Sequence, residues 1–308
     1  MSYSWYGRFA EPPNLMELDR MFRACDPKAR LCVGKDPRGD VGGSLYVLRD
    51  PEGSDDLGQP LPGRFVNVYV PGKSAAGLEV SWDDEQGLRI RCMALASNED
   101  HALALAAVER WLTGSKVAFW DEEEFKVEPK TIPEEYGAAF RRGQQEAGCA
   151  TLALRVEKLG KGAWVSIQTP LRPFFVNADI FKRLKKKDLT DEVIGQLKRI
   201  VALSSGPSTS GIACPNKVKA TIEGREYMGE FCVLGSPILL CEGDHVIVSV
   251  AGEPERLVMA WEELVAVLEK RIEWLDACQV LVPKLQPEEV SRLFEAAARK
   301  ATAIYVVG

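Results

Sequence analysis

RFVNVYVPGKSAAGLEVSWDDEQGLRIRCMAL, residues 64–95, is the stretch that decides the fold of the first half of the chain. Apolar and polar residues alternate at 64–70, 78–82 and 88–95, the two-residue period of half-buried strands. Turn formers separate these runs, in PGKSAAG and in DDEQG. Residues 44–49 alternate in the same way, ahead of a Pro/Gly/Asp-rich run at 50–63. Short strands joined by such turns predict an antiparallel meander.

Helices flank the meander. Asn14 is a cap for a helix over 15–25, with Leu15, Leu18, Met21 and Phe22 on one face. Ser97-Asn98-Glu99-Asp100 is a cap followed by early acids, leading into Leu103, Ala107 and Trp111 at helical spacing. A strand is predicted at 116–120 and a helix at 133–147, which Gly148 would end.

Beyond that point strands are predicted at 151–158 and 163–169, then two polar helices at 178–186 and 191–203, and a Ser/Gly/Pro-rich loop at 204–216. A second meander is expected from 217–223, 227–234, 238–241 and 246–250, followed by a helix over 257–275. The chain closes with a strand at 278–282, a helix opened by Pro287-Glu288-Glu289, and a strand at 303–307. The fold class is therefore α+β: two meander-plus-helix halves with mostly antiparallel sheets, divided into domains 1–148 and 149–308. Each half ends strand–helix–strand, the order that a duplicated unit would have.

The 308 residues are 46% hydrophobic and 27% charged, the balance of an ordinary globular protein, with a net charge of −6. That charge, and the lack of a recognisable binding fold, argue against nucleic acid as a partner. The eight cysteines, at 25, 32, 92, 149, 214, 232, 241 and 278, are dispersed in a chain able to build a core without staples. No stretch approaches the ~18 to 20 apolar residues of a membrane span, and residues 1–9 lack a cationic-then-apolar leader pattern. The expectation is a cytoplasmic protein with reduced thiols and no membrane partner.

Chemical motifs fail on their settings. Gly72-Lys73-Ser74 ends like a phosphate-binding loop, but Asn67 stands where the leading glycine belongs, and a strand rather than a helix follows. Gly206-Pro-Ser-Thr-Ser-Gly211 misses the nucleophile elbow by one residue and sits between helix and strand, the reverse of the elbow's order. Only His101 and His245 are available as bases. His101 falls in the first turn of a helix, where the dipole disfavours its charge; His245 follows a turn. The acidic runs 83–85 and 121–124 look like solvated turns, and no Cys/His spacing fits a metal knuckle. No catalytic, cofactor-binding or metal-binding residue is assigned, and no cofactor is expected.

Charge is unevenly spread. Residues 1–150 carry net −7, 160–219 net +7, and 220–308 net −7. The basic segment contains Arg172, Lys182, Arg183, Lys185, Lys186, Lys187 and Lys198, the expected partner-binding set, whose field suits another protein with an acidic face.

The residues from Val68 to Trp82, with Ser97–Asp100 and the helix to Trp111, resemble a family of uncharacterised bacterial cytoplasmic proteins over about the first 120 residues. The resemblance implies a bacterial cytosolic origin and transfers no active residues. Families of this sort resemble accessory or immunity proteins of secreted toxins. The expected function is thus a non-enzymatic protein-binding module, of the toxin-neutralising immunity or accessory kind. The alternative is a carboxylate- or serine-dependent hydrolase with its site between the two halves. Protein purified without oxidant and denatured without reductant should titrate close to eight thiols; recovery of only a few would refute the reducing compartment.

Overall fold

The alternating stretch forms β3 (Arg64–Tyr69), β4 (Leu78–Asp83) and β5 (Gly87–Cys92), which pair in antiparallel succession. The computed structural model describes residues 2–35, 61, 64–206, 210–215 and 217–306; the predicted strand at 44–49 and nearly all of the run at 50–63 lie outside them. The fold is α+β with mostly antiparallel sheets. It divides into two compact units, Met1–Ala202 and Leu203–Gly308.

In the first unit the meander grows into a six-stranded antiparallel sheet ordered β2-β3-β4-β5-β1-β6, with β1 at Tyr3–Gly7, β2 at Arg30–Lys35 and β6 at Phe119–Asp121. Two helices, α1 (Leu15–Cys25) and α2 (Asn98–Arg110), contribute Leu15, Leu18, Phe22, Leu103 and Ala107 to one core with Val66, Val68, Leu78, Val80 and Ile90. Their predicted caps both form. Asn14 Oδ1 accepts from the Glu17 amide at 2.9 Å while Glu17 Oε2 accepts from the Asn14 amide at 2.9 Å. Ser97 Oγ accepts from the Asp100 amide at 3.1 Å, and Asp100 Oδ2 accepts from the Ser97 amide at 2.8 Å.

Asp100 does more than cap. The same Oδ2 accepts the amides of Ala75 at 2.9 Å and Gly77 at 3.2 Å, so one fully buried carboxylate ties the PGKSAAG turn to the start of α2. Burial pushes its pKa up, against the opposing hydrogen bonds from Ser74, Ala75 and Ser97. Lys73 pairs with Asp26 at 2.7 Å, and Ser74 Oγ accepts the Val70 amide at 2.8 Å. The Gly-Lys-Ser motif thus builds a turn between strands.

After α3 (Ile132–Glu135), helix α4 runs from Ala138 to Glu157. This corrects two expectations. Residues 151–157 are helical, and Gly148 does not end the helix. A Cβ at Gly148 would lie 2.3 Å from the Ala94 carbonyl oxygen and 2.9 Å from Leu95 Cδ2, so glycine serves close packing there. The expected boundary at 148/149 falls inside this helix, and the compact units divide at 202/203. The unit continues through the hairpin of β7 (Val165–Ile167) and β8 (Phe174–Val176), then α5 (Ala178–Leu184) and α6 (Leu189–Ser204), close to the two predicted polar helices.

The second unit contains β9 (Lys217–Ile222), β10 (Arg225–Leu234), β11 (Ile238–Cys241) and β12 (His245–Val250). They do not form a simple meander. β11 leaves to pair with β15 (Gln279–Val282) in a sheet of its own with β14 (Glu273–Trp274), and β12 returns parallel to β10. The helix expected over 257–275 is β13 (Glu255–Ala260) followed by α7 (Trp261–Leu268), a 3-10 turn and β14. β13 lies between β12 and β16 (Ala303–Val306), with Leu257 and Met259 packed toward α7 and α8 (Pro287–Ala298) and Val258 in a separate cluster with Ile247. Alternating burial in the sheet outweighs the helical spacing of the same leucines. The strand–helix–strand order recurs, but its pairing does not: β5 and β6 flank β1 in one sheet, whereas β15 and β16 lie in different sheets.

In the first turn of α2, His101 is buried, and its Nδ1 has no hydrogen-bond partner. Burial chiefly, with Arg141 adding repulsion, lowers its pKa to about 4 from 6.5. A base depressed in the fold makes the unfolded chain bind the extra proton. Stability should therefore fall as pH drops from about 6.5 toward about 4, by up to about 3 kcal/mol from this group. In urea melts, His101→Phe should show a shallower decline than the wild type across that window; parallel curves would refute the assignment.

Candidate functional site

The basic segment is divided by its pairing. Lys198 on α6 bonds Glu99 at 2.7 Å, and Lys187 meets Glu192 at 3.2 Å. Lys182 only grazes Asp179 at 3.9 Å, one α5 turn away. Arg172 is half-buried in the turn between β7 and β8. Arg183, Lys185 and Lys186 are exposed at the end of α5, and no ion pair holds them among the described residues. Lys185 Nζ lies 4.7 Å above the Phe181 ring. The neighbouring acids are occupied elsewhere, because Arg142 takes both Asp188 at 2.8 Å and Asp191 at 2.6 Å.

A second arrangement was not legible in the motifs. The end of β6 places Asp121 beside β1, where Trp5 is its register partner, and the Asp121 carboxylate is buried. Its Oδ2 accepts the hydroxyls of Tyr3 and Tyr136, each at 2.9 Å. Its Oδ1 accepts the amides of Glu123 at 3.0 Å and Phe125 at 2.9 Å. The expected solvated turn at 121–124 is corrected at its first residue: four internal donors make burial of that carboxylate affordable, while Glu123 and Glu124 are exposed. Glu124 is left-handed at φ +67°, which closes the loop tightly. Burial first, then the bond each donates to Asp121, raises both tyrosine pKa values above the ordinary phenol range.

These groups open on a cavity of about 600 Å³. Phe140 packs edge-on to Tyr3 at 4.9 Å and to Tyr136 at 5.3 Å, and Phe125 stands at the cavity wall 64% exposed. Glu123, Glu135 and Gln144 complete the lining. The alternation of Tyr3 and Trp5 with Ser4 and Tyr6 is the one sequence signal that could have placed β1.

In the Ser/Gly/Pro-rich run the described Ser210 is held locally. Ser210 Oγ is bonded to the Leu203 and Gly206 carbonyl oxygens at 3.1 and 3.0 Å; Ser208 lies outside the described residues. His245 opens β12, half-buried against the Tyr227 ring at 5.2 Å. Burial pushes the Cys232 thiol up to about 12. Among the described residues no three His, Cys, Asp or Glu side chains converge as metal ligands.

Residues 52–193 match the family model described as Domain of unknown function (DUF4299). The match takes in β3 through α5 and the cavity's α4 wall, but starts later and ends later than the resemblance expected over the first 120 residues. No curated protein and no solved structure matches the chain. Among the described residues no helix is long and apolar enough to cross a membrane.

Replacing Asp121 with Asn removes the charge that holds both phenols. In alkaline titrations followed by tyrosinate absorbance, two of the seven tyrosines should ionise at lower pH than in the wild type. An unchanged titration would show that the carboxylate does not restrain them.

Proposed function

We propose that this protein is a non-enzymatic binding module that docks on an acidic face of another protein through the end of α5. The observation that carries the reading is the diversion of Asp188 and Asp191 to Arg142, which leaves Arg183, Lys185 and Lys186 exposed beside carboxylates that do not neutralise them. Clustered cations raise the encounter rate with an anionic surface, and the effect weakens with salt. Internal pairing of Lys187 and Lys198 narrows the docking set relative to the whole basic segment. In its finer form the module is a cytoplasmic toxin-neutralising or accessory protein of bacteria. Dispersed cysteines buried as small hydrophobes, Cys92 and Cys232 among them, support a reducing compartment, and a partner that must be recognised rather than transformed needs no reactive group.

The test begins with cross-linking and purification of the full chain from its native cells, with mass spectrometry to identify the partner. Association is then measured at two salt concentrations for the wild type and for a variant carrying Lys185→Glu, Lys186→Glu and Lys187→Glu. Folding stability should change by no more than about 1 kcal/mol, since the interactions lost, the Lys187–Glu192 pair and the contact of Lys185 with the Phe181 ring, are both made by exposed lysines. The association rate should fall and its salt dependence should flatten. An unchanged rate and slope would return these lysines to a solvated helix end.

A further inference from the structure

The cavity beside Asp121 plays no part in that docking reading, and its lining has a consistent chemistry. Its volume of about 600 Å³ is that of a small-molecule pocket. The walls are aromatic: Tyr3, Tyr136 and Phe140 pack edge to face, and Phe125 remains 64% exposed although it is apolar. Asp121, Glu123 and Glu135 supply negative charge, and no Lys, Arg or His is among the lining residues. Asp121 spends its acceptors on internal donors, so Glu123 and Glu135 are the carboxylates open to a ligand. One Glu135 oxygen accepts the Thr131 hydroxyl at 3.0 Å. Gln144 adds a further acceptor, because its Oε1 is buried and no donor reaches it. Aromatic faces, carboxylates and an unmet acceptor attract one kind of ligand in common, an organic cation bearing N–H donors. An anion would be repelled. A bare metal ion would find aromatic walls where it needs converging ligands, and no such convergence exists among the described residues.

We propose that this cavity binds an alkylammonium or guanidinium cation, its charge between Glu123 and Glu135 and its alkyl stem against Phe125 and Phe140. The arrangement is preorganised, since Asp121 fixes Tyr3, Tyr136 and the Glu123–Phe125 loop through four hydrogen bonds before any ligand arrives. The cation has two sources, a free small amine or guanidine and a Lys or Arg side chain on a polypeptide.

Calorimetric titration of the full chain separates these sources. The probes are n-butylammonium, n-butylguanidinium and the end-blocked peptides Gly-Lys-Gly and Gly-Arg-Gly, with n-pentanol and butyrate as neutral and anionic controls. The cations should bind while the controls do not. Glu123→Gln combined with Glu135→Gln, and separately Phe125→Ala, should each weaken binding by about tenfold. All three positions are exposed, so the fold survives these changes, which circular dichroism and urea melts check. Tighter binding of the free cation identifies a small molecule, and tighter binding of the peptide identifies a side chain; either result sustains the proposal. Equal binding of n-pentanol, absence of binding by every cation, or unchanged affinity in the double variant would overturn it.

Discussion

A buried carboxylate is costly unless its oxygens are met, and Asp121 has both of its oxygens met by drawing together pieces of chain that are far apart in sequence. The hydroxyl of Tyr3 comes from the first strand, that of Tyr136 from the segment between two helices, and the two amides from the loop Asp121 itself opens. If one donor were removed, the rest of the charge would stay buried with less to support it. β1 therefore holds its place between β5 and β6 through a side-chain bond as well as backbone pairing, and the adjacent cavity inherits its shape from the same contacts.

Asp100 ties the meander to α2 through a single oxygen, while its buried Oδ1 has no hydrogen-bond partner among the described residues and burial raises its pKa. Its Oδ2 joins the amides of Ala75, Gly77 and Ser97, so a loop between strands and the start of a helix are fixed by one atom. A helix N-terminus has unmet amides in any case; placing the acid at its third residue lets one carboxylate satisfy that end and the nearby turn together. The lysine and serine beside it, which in other settings would meet phosphate, are taken up by Asp26 and by the Val70 amide.

Charge on this protein is sorted by pairing rather than by composition. The basic segment is strongly positive in sequence, yet Lys187 and Lys198 find carboxylates within the first unit, and Arg142 collects the two acids closest to the lysine run. At the end of α5, Arg183, Lys185 and Lys186 are exposed and hold no ion pair among the described residues. The negative charge is concentrated differently, with Glu123 and Glu135 set among the aromatic rings that line the cavity.

Local rules were enough wherever a signal and its consequence lie within a few residues. Asn14 with Glu17, Ser97 with Asp100, and the alternation over 64–92 specify two caps and three strands, and the predicted elements form there. Local rules failed where a distant partner decided. Leu257 and Met259 have helical spacing with the leucines that follow, but a place between β12 and β16 made them strand. Gly148 reads as a helix end, and the nearby Ala94 carbonyl made it a packing contact instead. The Tyr3–Asp121–Tyr136 cluster joins residues up to 133 positions apart and has no spacing to recognise. The sequence alone determined the α+β class, the caps, the meander and the existence of a basic segment, because these depend on neighbours along the chain. Only the tertiary structure decided which cations stay unpaired and where the cavity forms, because those depend on which side chains meet across the fold.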